Sequence, residues 1–259
     1  LEGITGWIFR SAVHECFGGF DKYFVPFIRP NQMGHLSARE KKDILPEHNE
    51  GMYTVPQILT NRPEDFIRTA YKLSEYGYQE INLNLGCPSR TVVTKRRGAG
   101  FLAEPDRLDV FLYEVFEKCE IRISVKTRLG MDDPEEFYHL LEIYNKYPME
   151  ELIIHPRVQK DFYKNTPNLK IFAEALAKSR NPVCYNGDIF TTEDYKRFTQ
   201  MHPDVESIMM GRGILADPAL ARKIRGGAGI DTAELRRFHD LLYAGYCEEM
   251  SGDRTILFK

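Results

Sequence analysis

Short strand-forming runs alternate with amphipathic, helix-like segments along almost the whole chain, and this alternation restricts the fold more than any other feature. The runs are 23–28 (YFVPFI), 52–59 (MYTVPQIL), 80–85 (EINLNL), 121–127 (IRISVKT), 151–155 (ELIIH), 182–186 (PVCYN) and 206–211 (ESIMMG), and a further, trimmed run is expected at 1–4. Between them lie helical patterns. Residues 63–76 open on Pro63, Glu64 and Asp65, a favourable first turn, and set Phe66, Ala70 and Leu73 on one side. Residues 105–118 open on Pro105, and 134–147 on Pro134 behind Asp132 and Asp133. Residues 168–178 and 192–201 follow, the latter with Thr191 and Asp194 spaced as a capping box. Asp217 and Pro218 read as the N-cap and first turn of a helix over 218–225.

Eight strand positions alternating with helices predict an α/β fold, a (β/α)8 TIM barrel, whose usual size of roughly 250 residues suits a chain of 259. A doubly wound open sheet shares the alternation but usually carries GxGxxG after its first strand, and none is present. After RGGAG at 225–229 the pattern becomes purely helical, with Leu235, Phe238, Leu241, Leu242 and Tyr246 in 232–250. The expected division is a catalytic barrel over 1–228 and the start of a small helical domain over 229–259. The chain starts without Met and stops at DRTILFK, so both ends are read as trimmed and the first strand as incomplete.

The function classes narrow further on charge and cysteine usage. A net charge of −3 argues against a surface that attracts nucleic acid everywhere, but leaves room for a local basic face. Five widely spaced cysteines without a CxxC make poor disulfide partners and a poor zinc site, which points to free thiols, a cytoplasmic compartment and no metal. The apolar runs fall short of a membrane span, and LEGITGWIFR lacks the pattern of a signal peptide. A monomer is expected.

Barrel active sites lie at the C-terminal ends of the strands. Those ends carry Gln57; Asn82, Asn84 and Cys87; Lys126 and Arg128; His155 and Arg157; Asn186, Gly187 and Asp188; and Gly211, Arg212 and Gly213. The glycines after the seventh and eighth strands expose backbone N–H groups, and with Arg212 they favour a phosphate. Lys126 is either a Schiff-base amine or a cation beside an anionic cofactor, against the plainer reading of a snorkelling lysine. His155 and Arg157, spaced by Pro156, can face one ligand; a structural histidine is the competing reading. Cys87 is the sharpest residue. A free cysteine is most often a small buried hydrophobe. Cys87 instead sits between Gly86 and Pro88, beyond the strand end, where a thiol with an ordinary pKa of about 8.5 can donate a proton or attack.

The ordered set LEGITGWIFR, VPQIL, NLNLGCPS, VKTRLG, HPRVQKDFY, YNGDI and MMGRGILADPAL resembles the tRNA-dihydrouridine synthase family across essentially the whole barrel. The resemblance implies an FMN-binding (β/α)8 barrel followed by a helical domain that helps hold tRNA. It implies that FMN reduced by NADPH passes hydride to C6 of a uracil while Cys87 protonates C5, giving 5,6-dihydrouridine. On that pattern Gln57, Lys126, His155, Asn186, Gly187, Asp188, Gly211 and Arg212 surround FMN, and Asn84 and Arg157 contact FMN or the uracil. Lys95, Arg96 and Arg97, just past the cysteine, then grip RNA phosphates, and Gly98 and Gly100 let that loop move. Without the cysteine beside them, three cations in a row read as a solvated surface. Arg90, Lys160 and Lys164 are weaker candidates for the same face.

The alternative within flavin barrels is a dehydrogenase of a free pyrimidine, of the dihydroorotate type, which needs neither the basic loop nor a helical RNA-binding domain. A Schiff-base lyase built on Lys126 and a non-catalytic RNA-binding barrel are the readings outside that class.

Overall fold

The computed structural model describes residues 1–31 and 34–250. Residues 1–4 are not a strand. They form a turn in which the N–H groups of Ile4 and Thr5 both donate to the Leu1 carbonyl, with Gly3 at φ 81°. The turn leads into α1 (Trp7–Cys16). Strand β1 (Tyr23–Phe24) follows, then α2 (Ala38–Ile44), opened by a capping box between Ser37 and Glu40. The run at 52–59 forms β2 (Thr54–Val55) and β3 (Gln57–Ile58) on either side of Pro56, which has no N–H for a ladder. Helix α3 (Pro63–Ser74) and strand β4 (Glu80–Leu85) match the sequence pattern.

Past the short helix α4 (Arg90–Val93), the chain runs through α5 (Pro105–Lys118), β5 (Arg122–Arg128), α6 (Glu136–Tyr144) and β6 (Leu152–His155). It continues as α7 (Leu169–Lys178), β7 (Val183–Tyr185), α8 (Thr192–Met201) and β8 (Ser207–Ile208). The short helices α9 (Arg212–Ala216) and α10 (Leu220–Ile224) precede α11 (Thr232–Glu249). Helix α10 starts two residues later than Asp217 and Pro218 suggested. Asp217 closes the turn before it, accepting the Ala219 N–H and pairing with Lys223.

Every pairing is parallel. Strands β3 to β8 lie side by side in sequence order, β1 pairs with β2, and a bridge from Ile28 to Ile58 joins the first pair to β3. The order never reverses, as a doubly wound sheet requires. This is the strand progression of the (β/α)8 barrel.

Strand β4 shows how the barrel divides its faces. Ile81, Leu83 and Leu85 enter the hydrophobic core with Phe66 and Leu73 of α3 and Leu108, Phe111 and Leu112 of α5. The alternate residues make polar contacts across the strands: Glu80 with Lys22 and Tyr53, Asn82 with Ser124, and Asn84 with Gln57. A period of two in the sequence therefore separates a greasy outer wall from a polar interior.

Helix α11 packs back on α1. Phe238 meets Phe9 and Phe17 edge-on, with centroids 6.0 and 5.1 Å away, and Gly245 is the point of closest approach to Ile8. Ion pairs Arg237–Glu15 and Lys42–Glu249 flank the contact. Of the expected helical domain, residues 251–259 lie outside the described residues.

Candidate active site

The strand ends open on a cavity of about 820 Å³, within the range of a site for a cofactor-sized ligand. Ten of the expected site residues line it: Gln57, Asn84, Cys87, Lys126, His155, Asn186, Gly187, Asp188, Gly211 and Arg212. Arg128 and Tyr163 line it too. Arg157 lies behind the wall, and Lys95, Arg96 and Arg97 stand away from it.

The loop carrying Cys87 is fixed by Asn84, Arg128, Gln159 and Ala99. Asn84 Oδ1 accepts the N–H groups of Gly86 and Cys87 at 3.1 and 3.0 Å, and Asn84 Nδ2 donates to Gln57 Oε1 at 2.8 Å. Arg128 Nε donates to the Gly86 carbonyl at 2.9 Å, and Gln159 Nε2 to the Pro88 carbonyl at 3.0 Å. The Cys87 carbonyl accepts the Ala99 N–H. Burial pushes the Cys87 thiol above its usual range, which keeps it protonated through neutrality.

Gly98 and Gly100, expected as hinges, serve close packing instead. Both are buried. A Cβ on Gly98, at φ 53°, stands 2.9 Å from the Cys87 carbonyl oxygen, and one on Gly100 stands 2.6 Å from that of Val93. Lys95 and Arg96 are exposed and Arg97 is partly so. Arg96 faces Glu104 at 3.9 Å, and the Lys95 carbonyl accepts from Asn61.

The opposite wall is a cluster of cations. Lys126 is lowered to about 8, first by burial and then by the charge of Arg128. Its ammonium donates to no protein acceptor among the described residues. Arg157, its side chain only 1% exposed, pairs with Asp188 and donates to the Lys164 and Asn165 carbonyls. Arg157 Nη1 lies 3.1 Å from His155 Nε2. Arg212 shares the same Asp188 carboxylate. Burial, with Lys126, Arg128, Arg157 and Arg212 around it, drives the pKa of His155 far down, so its imidazole is neutral at any working pH. Tyr163 roofs this group, 4.8 Å from Arg212 and 5.6 Å from Arg128 by cation–π distance.

Glycines complete the floor. The N–H groups of Gly187 and Gly211 donate to no protein acceptor among the described residues, and a Cβ on Gly211 would meet nothing within 4 Å. Asn186 Nδ2 is tied to the Met209 carbonyl at 2.8 Å, which joins the β7 and β8 ends. Free backbone donors and a half-buried ammonium with no ion pair favour an anionic ligand at this end of the cavity. Among the described residues, no group of three or more His, Cys, Asp or Glu is placed to hold a metal ion, and no helix is long and apolar enough to cross a membrane.

Arg128 was named at its strand end without a role, and Tyr163, which closes the HPRVQKDFY stretch, was not singled out. What marks them as site residues is their place around the cavity, and the sequence does not show that.

A family model described as dihydrouridine synthase matches residues 1–244. A tRNA-dihydrouridine(16) synthase of Pseudomonas putida is 30% identical over 250 residues, covering 93% of this chain and 76% of that protein. One from Ralstonia nicotianae is 30% identical, covering 87% and 71%. A probable tRNA-dihydrouridine synthase 2 of Bacillus subtilis is 26% identical, covering 96% and 78%. Among solved structures, morphinone reductase aligns with a TM-score of 0.60 at 12% identity, over 90% of this chain and 85% of that one. Histamine dehydrogenase from Rhizobium sp. 4-9 aligns with a TM-score of 0.60 at 13% identity, over 90% and 43%. At such identities the structural likeness speaks for the fold alone.

Proposed function

The chain belongs to the dihydrouridine synthase family, a family of oxidoreductases, and from that premise we propose that it reduces uridine in tRNA to 5,6-dihydrouridine, with FMN as its cofactor and NADPH as reductant. The observation that carries this reading is the placement of Cys87: a protonated thiol on a fixed loop, facing a wall of cations and neutral donors across one cavity.

FMN, held here, would supply a hydride for C6 of the uracil. The residues fit the cofactor. Gly187, Gly211 and Arg212, with Asn186 and Asp188, would hold its phosphate end, and Gln57, Lys126 and His155 its ring system. Lys126 would meet the negative charge of the reduced ring. Cys87 gives its proton to C5 of the uracil as general acid. Hydride addition puts negative charge on C5 and O4, and donors around the cavity, Tyr163 among them, would stabilise it. Asn84 lies along the uracil's approach and holds the Cys87 loop. Arg157 acts from behind by holding His155 and Asp188.

A uracil reaches a barrel mouth only by leaving its stack, at roughly a few kcal/mol. Lys95, Arg96 and Arg97 are proposed to grip the RNA backbone and offset part of that cost. We take residues 1–228 as the catalytic barrel and 229–259 as the start of a helical tRNA-binding domain of a cytoplasmic enzyme.

The test is product analysis. Flavin-loaded protein, NADPH and unmodified tRNA are incubated, and nucleosides are separated by mass, with free uridine and orotate as parallel acceptors. Dihydrouridine in tRNA alone supports the reading; turnover of a free pyrimidine without tRNA product replaces it with the dehydrogenase alternative.

A further inference from the structure

The loop after β6 holds a residue whose conformation and exposure both run against its side chain. Phe162 has φ 51°, where a bulky residue is strained, and its ring is 43% exposed. The backbone is held there from behind. The Phe162 carbonyl accepts from Arg128 Nη2 at 2.7 Å, and its N–H donates to the Gln159 carbonyl at 3.1 Å. Arg157 Nε draws in the carbonyls of Lys164 and Asn165 at 2.9 and 3.2 Å. Two buried guanidiniums thus pull the loop's carbonyls inward and leave the Phe162 ring facing solvent.

The surroundings of the ring indicate what covers it. Lys160 and Lys164 flank it, both exposed and neither in an ion pair among the described residues. The adjacent carboxylate, on Asp161, is turned into its own loop, accepting from the Val158 N–H at 3.2 Å and Asn165 Nδ2 at 2.6 Å. An open aromatic ring with an exposed lysine two residues to either side in the chain suits the alternation of base and phosphate in an unpaired nucleic-acid strand. The next residue, Tyr163, already lines the cavity, so a strand delivering one base there passes Phe162 with its neighbour.

Resting on the tRNA reading above, we propose that Phe162 is a stacking platform for an unpaired nucleobase flanking the target uridine, with Lys160 and Lys164 holding the phosphates on either side. The platform takes no part in the chemistry and acts on how the substrate is held.

The test compares flavin-loaded wild type with Phe162→Gly and Phe162→Trp on unmodified tRNA. Glycine adopts the positive φ without strain, so Phe162→Gly should melt no lower than wild type. Its KM for tRNA should rise about tenfold, the scale of one base–aromatic stack, while Phe162→Trp should keep a wild-type KM. A 2-aminopurine placed beside the target uridine should be quenched on binding wild type and stay bright with Phe162→Gly. If wild type forms dihydrouridine but Phe162→Gly keeps its KM and its quenching, the platform is wrong and the reductase stands. If Phe162→Trp is impaired as much as Phe162→Gly, the ring is not a stacking surface and the proposal is overturned. If wild type forms no dihydrouridine, the reductase reading falls and the platform with it.

Discussion

The side-chain oxygen of Asn84 accepts the backbone N–H of Cys87 at 3.0 Å, so the residue that ends the fourth strand's polar row also sets where the thiol stands. The same oxygen takes the Gly86 N–H. Asn84→Ala leaves these donors and Gln57 Oε1 without partners and should lower stability by about 1–3 kcal/mol. It should also slow dihydrouridine formation. Asn84→Asp keeps an acceptor for both N–H groups and should retain more of the rate. Urea unfolding and initial rates on tRNA, measured on both variants, check this.

Lys126 is a half-buried cation with no ion pair among the described residues, so desolvation works against its charge and an anion beside it would relieve that cost. Lys126→Met should raise the melting temperature of flavin-free protein and abolish its retention of FMN through gel filtration. A variant that loses both stability and flavin would point instead to a structural ammonium.

The pH dependence has two parts of known sign. Lys126 sits at about 8 against an ordinary 10.5, so the folded protein gives up this proton before the unfolded chain does. Between those values the group's contribution to stability rises with pH, while flavin retention should weaken as pH climbs through about 8. Cys87 is displaced upward, so its acid form persists through neutrality and the tRNA-dependent step should fall only in the alkaline range. Flavin fluorescence and single-turnover rates across pH, with Lys126→Arg as control, separate the two limbs.

Two glycines of the floor should respond oppositely to one methyl group. At Gly187 a Cβ would stand 1.9 Å from the Tyr185 hydroxyl oxygen, so Gly187→Ala should unfold at lower temperature. At Gly211 a Cβ meets nothing, so Gly211→Ala should fold normally and bind FMN more weakly. Thermal melts paired with flavin titrations check both.

The fold was legible where local pattern and tertiary role agree. The alternation in EINLNL separates the wall from the interior of the barrel, and both survive folding unchanged. Helix α2 escaped the pattern because its seven residues bury only Asp43 and Ile44, although Ser37 and Glu40 carried its capping signal. The strand ends identified the cavity lining because barrel topology fixes where they point. The contacts of Arg157 were not legible: its partner Asp188 lies 31 residues on, and no local spacing shows the pair. Gly98 and Gly100 read as hinges because glycine is ambiguous between freedom and closeness until its neighbours are known.

The central claim is that a flavin in this cavity reduces uracil in tRNA with Cys87 as acid. Its most direct test is anaerobic: the flavin-loaded protein is reduced with NADPH, unmodified tRNA is added, and flavin absorbance is followed, beside Cys87→Ala and free uridine and orotate. The account predicts reoxidation by tRNA alone, slowed about 10²- to 10⁴-fold in Cys87→Ala. Reoxidation by a free pyrimidine while tRNA does nothing, or an undiminished rate in Cys87→Ala, would contradict it.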